Sequence, residues 1–231
     1  MESVHSRTVL APRGFTLVEM MVVLAIIVII TTIALVGQST FNRSLVLTDV
    51  AYTLAFSVRE AQSLGLSSRA FAGTQNAGYG VRFSAASAGS YTLFADTHPA
   101  APGRTGQADC PGHPEVSASN PEAKPGDCLQ SQASEIVRTY SLNNGFRISS
   151  FCGAEVSGGT KRCNGYLDAI DIVYLRPNTQ SVITGVRGAT RVPLANAVIH
   201  VSSPDGQASR CIAVSKAGQI SVHLPSDTEC L

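Results

Sequence analysis

Charge is scarce in one long stretch of this chain and balanced in the rest. Between Phe15 and Val36 the only charged side chain is Glu19, and a helix of that length rises about 33 Å, enough to cross the hydrocarbon core of a bilayer. Over the whole chain 17 Lys and Arg side chains nearly cancel 16 Asp and Glu. Without a basic excess, broad non-specific attraction to nucleic acid or anionic lipid is not expected. Proline is absent from Phe15 to Thr97, so nothing in that stretch forbids a helix that continues beyond the apolar run. Signatures of catalysis are missing as well. Gly153 and Gly158 have the spacing of a phosphate-binding loop, but Gly159 and Thr160 occupy the next two positions, so the lysine is missing and Lys161 comes too late. There is no G-x-S-x-G elbow, and His5, His98, His113, His200 and His223 fall in no catalytic context. Asp168 and Asp171 lie an odd number of residues apart on one strand, so they point to opposite faces and cannot share a proton or a metal. Cys110-Pro-Gly-His113 with Cys128 lacks the second ligand pair of a zinc site. No catalytic residue, metal ligand or cofactor is therefore expected, and the chain is read as a non-enzyme.

What is present begins with Arg13-Gly14-Phe15-Thr16-Leu17-Val18-Glu19. An ionised carboxylate at mid-bilayer costs about 2.5–3.5 kcal/mol and less near the edge, so Glu19 calls for a partner. The plainer alternative is an acid held in the first helical turn by the helix dipole alone. A cleavable secretory signal fits poorly, because its apolar region spans about 7–15 residues and ends at a small-x-small site. Here the run is longer, and Thr31 to Gln38 offers no such site. Arg7 and Arg13 precede the span while Arg43 is the one basic residue soon after it, which predicts a cytoplasmic amino terminus and a body outside.

Gly14-Phe15-Thr16-Leu17-Val18-Glu19 resembles the processing site of type IV prepilins and type II secretion pseudopilins. The resemblance implies a leader, residues 1–14, that a prepilin peptidase removes by cutting between Gly14 and Phe15, with N-methylation of Phe15. Glu19 would then be the fifth residue of the mature chain, its carboxylate meeting the freed amine of Phe15 on a neighbouring subunit or its own. Opposite charges that meet in an assembly leave neither unpaired in lipid. Loss of the leader takes Arg7, Arg13 and Glu2 and leaves 15 charges of each sign. The implied partners are the peptidase, other pilin or pseudopilin subunits, an inner-membrane assembly platform and secreted substrate.

Beyond the span, residues 15–36, the segment 37–72 reads as an amphipathic continuation of the same helix. Leu47, Val50, Leu54, Val58 and Ala61 recur at helical steps, Asp49, Arg59 and Glu60 lie off that stripe, and Gly65 and Gly73 are the expected stop signals. Residues 73–231 form the exported β-domain. Gly78 to Asp96 reads as a hairpin turning at Ala88-Gly89-Ser90, followed by strands at Ile136–Tyr140 and Phe146–Ile148 with Asn144-Gly145 as turn chemistry between them. Cys152 to Cys163 surround a glycine-rich tip. Further strands are expected at 169–175 and 197–201, and Arg210–Val214 with Ile220–Leu224 closes as a hairpin. The order predicts an α+β fold, one antiparallel sheet of about six to eight strands packed on the outward half of the helix. Between them, residues 97–126 hold six of the eleven prolines and almost no aliphatic side chains, which predicts a surface excursion. All six cysteines, Cys110, Cys128, Cys152, Cys163, Cys211 and Cys230, lie in the exported part and read as up to three disulfides. Sequence proximity suggests Cys110–Cys128, Cys152–Cys163 and Cys211–Cys230 among the many connectivities six cysteines allow.

The strand after the helix, the SYTLFAD strand and the closing RCIAVSKAGQISV hairpin are similar to the minor pseudopilins of the H-subunit type and to related minor type IV pilins. Some pseudopilins hold calcium in a carboxy-terminal loop, but here only Asp227 and Glu229 stand near that end. In a DNA-binding subset, basic residues follow a glycine in the carboxy-terminal turn, whereas Gly218 is followed by Gln219, Ile220, Ser221 and Val222. The resemblance thus implies a structural subunit of a pseudopilus or pilus, anchored in the inner membrane with its domain in the periplasm and supporting protein secretion. The alternative is a minor pilin that binds DNA or a surface, which needs a basic patch such as Arg187, Arg191 and Arg210 meeting in the fold.

Overall fold

A computed structural model describes residues 14–67, 69–75, 77–97, 126–177 and 179–230. The first element is one helix, α1, Leu17–Leu66. Thr16 caps it, its hydroxyl accepting from the Glu19 N–H at 3.2 Å, as the T-x-x-E pattern predicts. Farther along, the hydroxyls of Thr31 and Thr32 donate to the carbonyls of Ile27 and Val28 at 2.8 and 2.7 Å, which satisfies them inside an apolar run. The chain divides into two compact units after Arg43, and from Ser44 on the helix belongs to the β-domain. It ends at Leu66, earlier than residue 72.

Eleven strands follow: β1 Gly78–Ser84, β2 Ser90–Asp96, β3 Ile136–Ser141, β4 Arg147–Ala154, β5 Lys161–Cys163, β6 Ala169–Tyr174, β7 Ser181–Arg187, β8 Thr190–Leu194, β9 Asn196–Ser202, β10 Ser209–Ser215 and β11 Ile220–His223. They form two antiparallel sheets, one in the order β3-β2-β1-β6-β7-β8 and the other β11-β10-β9-β4-β5. The fold is α+β, as expected, but the single sheet is corrected to two. Three strands escaped the reading, each for a local reason. Gly185 interrupts β7, because a Cβ there would lie 2.8 Å from the Leu167 side chain. Pro193 disguises β8, which tolerates it as an edge strand. The short β5 was concealed in the tip between Cys152 and Cys163. Asn144 and Gly145 do make a turn with positive φ, 59° and 76°, yet β3 and β4 do not pair across it. The chain there leaves one sheet for the other.

The core follows from the helical stripe. Leu47, Leu54, Val58 and Ala61 are fully buried, in one cluster with Val81 and Phe83 of β1, Ile172 of β6, Ile199 of β9 and Ile212 of β10. Each such side chain contributes roughly 1.5–3 kcal/mol when removed from water, and Val50 is half-buried beside them. Polar contacts set the helix in register: Ser57 bonds the Tyr91 hydroxyl at 2.9 Å, Tyr140 donates to Glu60 at 2.6 Å, and Gln62 donates to the Gly218 carbonyl at 3.2 Å. Gly65 is not the stop signal. It lies in the last turn where the helix backbone rests on the Tyr174 carbonyl, and a Cβ would stand 2.2 Å from that oxygen. A smaller cluster, Phe94, Cys128, Val173 and Leu175, is separate from this core. Its Phe94 reaches across Gly80, where a Cβ would come within 2.8 Å of the ring.

Candidate functional site

Gly14, Phe15 and Thr16 stand outside regular structure, immediately before α1, and all are exposed; Phe15 is 75% accessible. An added Cβ on Gly14 would meet nothing within 4 Å. The peptide bond between Gly14 and Phe15 is therefore open to an enzyme. Glu19 sits in the first turn, where the unpaired N–H groups favour a negative charge. Among the described residues its carboxylate has no hydrogen-bond or ion-pair partner. From Leu17 to Leu35 the helix is apolar, long enough to span a bilayer, and wholly unburied by its own chain. That much exposed hydrocarbon does not persist in water, so lipid or other chains must cover it.

The remaining candidates divide. Cys152 faces Cys163 across the β4–β5 pair and is bonded to it, and Cys211 of β10 is bonded to Cys230. The expected Cys110–Cys128 pair falls on Cys110, which lies outside the described residues, as do His5, His98, His113 and nearly all of the proline-rich stretch. Cys128 is fully buried. Arg187, Arg191 and Arg210 do not make a common patch. Arg187 stacks on Tyr166 with its guanidinium 4.3 Å from the ring centre, Arg191 pairs with Asp127 at 3.0 Å, and Arg210 donates to Ser44 at 3.3 Å. His200 is half-buried, and burial together with nearby Lys161 lowers its pKa. His223 lies between Asp227, 3.5 Å from Nδ1, and Glu229 at Nε2. The two acids approach different ring nitrogens, so they do not converge on one metal position. Among the described residues no three His, Cys, Asp or Glu side chains are grouped to hold a metal ion.

Sequence reasoning missed a buried group of carboxylates on the first sheet. Asp96, Asp127, Glu135 and Asp171 are all nearly or fully inaccessible. Asp96 closes β2, Asp171 lies in β6 opposite Arg82 of β1, and the other two come from the segment after residue 125. Burial, and next the charge of Asp127, raise the Asp96 pKa well above the carboxylate range. Burial pushes Asp171 up to about 7 against the pull of Arg82. Only the odd sight of Asp171 in the apolar run AIDIVY hinted at this.

An exposed junction before an unburied apolar helix, joined to a disulfide-bonded α+β domain, fits a membrane-anchored protein. Residues 11–35 match the prokaryotic N-terminal methylation motif. No curated protein and no solved structure matches the chain. The motif supports a type IV pilin-like subunit, structural rather than enzymatic, that is processed by prepilin peptidase and assembles with other pilin subunits.

Proposed function

We propose that the chain is a minor pseudopilin of the H-subunit type or a related minor pilin, assembled through α1 into the pseudopilus of a type II secretion system or a short type IV pilus. The precursor sits in the inner membrane with its amino terminus in the cytoplasm and residues 73–231 on the periplasmic side. Prepilin peptidase cuts between Gly14 and Phe15, Phe15 is methylated, and Glu19 takes the freed amine as its partner in the fibre. The observation that carries this reading is the pairing of an exposed Gly14–Phe15 junction with an intramembrane carboxylate that has no partner among the described residues of its own chain. Secretion of protein substrates is the work of such a fibre, the helix bundle transmitting force while the sheets meet substrate and neighbouring subunits. No observation favours DNA capture, since the three arginines it needs are each engaged elsewhere.

Mass spectrometry of the intact chain from cells with and without the peptidase tests the reading. The mature chain should start at Phe15 and carry one added methyl group only when the peptidase is present. A chain that keeps Met1 to Gly14 in cells that trim other prepilins would sink it.

A further inference from the structure

In the second sheet β4 lies between β9 and β5, yet the short β5 pairs only with its last residues, Cys152 to Ala154. Residues 147–151 therefore have an open side. Among the described residues it is touched by backbone at two points: the Ile148 N–H donates to the Ala88 carbonyl at 2.7 Å, and the Phe151 carbonyl accepts from the Asn164 N–H at 2.9 Å. A bulge lies between these contacts, where the pairing of β4 with β9 shifts register from Ile148 to Ser150. Three residues of extended chain leave about 10 Å of strand edge with no strand beside it.

A pocket of about 260 Å³ lies along this gap. Ile148 and Phe151 line it from β4, Ala85 and Ala88 from the turn between β1 and β2, and Asn164 from the segment that follows β5. Pockets for drug-sized ligands hold roughly 300–1,000 Å³, so this one suits a single residue. Arg147 is the one charged residue in its lining; it is exposed, and among the described residues its guanidinium has no hydrogen-bond or ion-pair partner. An open strand edge pairs with another extended chain, and a guanidinium fits a planar carboxylate. Only at its carboxy-terminal end does a peptide present a main-chain carboxylate beside its last side chain.

We propose that this gap binds the carboxy-terminal end of an extended peptide from a partner protein. The terminal carboxylate meets Arg147, the last side chain lies against Ile148, Phe151 and Ala88, and the preceding backbone runs along the open edge of β4. The site belongs to the β-domain and does not depend on the amino-terminal motif or its processing.

NMR titration of the isotope-labelled full chain in zwitterionic micelles tests this with three probes: acetyl-Gly-Phe with a free carboxylate, the same dipeptide as its amide, and phenylacetate. The free acid should shift the amide signals of Ile148, Ser149 and Phe151 saturably. Those of Ser221 and Val222, in β11 at the far edge of the same sheet, should stay where they are. Changing carboxylate to amide should weaken binding roughly tenfold, the loss expected for one hydrogen bond to a charged group. Phenylacetate, which has no backbone amides to pair, should also bind more weakly than the dipeptide acid. In Arg147→Gln the acid should bind no better than the amide. Should that variant not fold, the comparison of acid with amide in the unmodified chain still decides. Equal affinity for the two overturns the proposal, and so does phenylacetate that matches the dipeptide, since strand pairing would then contribute nothing. Saturable shifts that miss β4, or none with millimolar dipeptide acid, overturn it as well.

Discussion

Replacing Gly65 by alanine distinguishes a helix stop from a packing contact, because the two roles predict opposite signs. As a residue near the end of an exposed helix, alanine should stabilise by up to about 1 kcal/mol through helix propensity. The fold reverses this. An added Cβ would stand 2.2 Å from the Tyr174 carbonyl oxygen and 2.8 Å from its carbon, and both are backbone atoms that cannot rotate away. The last turn of α1 must therefore retreat by about 1 Å, and a gap of that size forfeits up to about half of each dispersion contact it opens. Ala61 and Val58, fully buried on the preceding turns, would lose part of their packing. Overpacking of this kind costs about 1–3 kcal/mol. With the backbone unable to yield, the upper end applies, leaving a net loss of about 2 kcal/mol after the propensity gain. For a domain of this size that lowers Tm by roughly 4–8 °C. Thermal unfolding of the full chain in detergent, followed by circular dichroism, measures it, with Gly89→Ala as the control because nothing lies within 4 Å of its Cβ. A Gly65→Ala variant as stable as the parent, or more so, would refute the close approach of α1 to β6.

Three further outcomes are expected. Tyr140→Phe removes the 2.6 Å bond to Glu60 and should cost about 1.5–3 kcal/mol at most, as for bonds to charged groups, less where water replaces it; urea titration should show a lower midpoint at unchanged slope. Asp171 binds a proton in the folded state up to about pH 7 but in the unfolded chain only to its ordinary 3.8, so its contribution is complete below the lower value and is lost as pH rises through the upper one. Tm should accordingly fall from acid to neutral pH, and Asp171→Asn should flatten that slope. Glu19→Ala should leave the domain's Tm unchanged, since the carboxylate has no hydrogen-bond or ion-pair partner among the described residues, yet abolish co-purification with partner subunits; wild-type recovery in fibres would remove the charge-pairing argument.

Much of the architecture was legible wherever one physical pattern ran unbroken. A long apolar run with a single charge predicts a membrane span whatever surrounds it, and a stripe at helical steps implies a buried face, so Leu54 and Val58 could be placed in the core from spacing alone. Alternation exposed β1 and β2 for the same reason. Readings failed where the decisive partner lay far along the chain. Gly65 looks like a terminator until Tyr174 comes to rest on it, and Asn144-Gly145 looks like a hairpin until its strands are seen to join different sheets. Pro193 argues against a strand unless that strand is known to be an edge.

The carboxylates show the division most sharply. Nothing in the sequence singles out Asp96, Asp127 or Glu135, because solvation is a property of the folded surroundings and no spacing rule brings residues 96, 127, 135 and 171 together. Local sequence alone determined the methylation motif, the apolar helix and its solitary acid, since those depend on neighbours along the chain. Tertiary structure decided which glycines carry contacts, how many sheets there are and which acids are stripped of water, since each of these depends on what the fold lays against them.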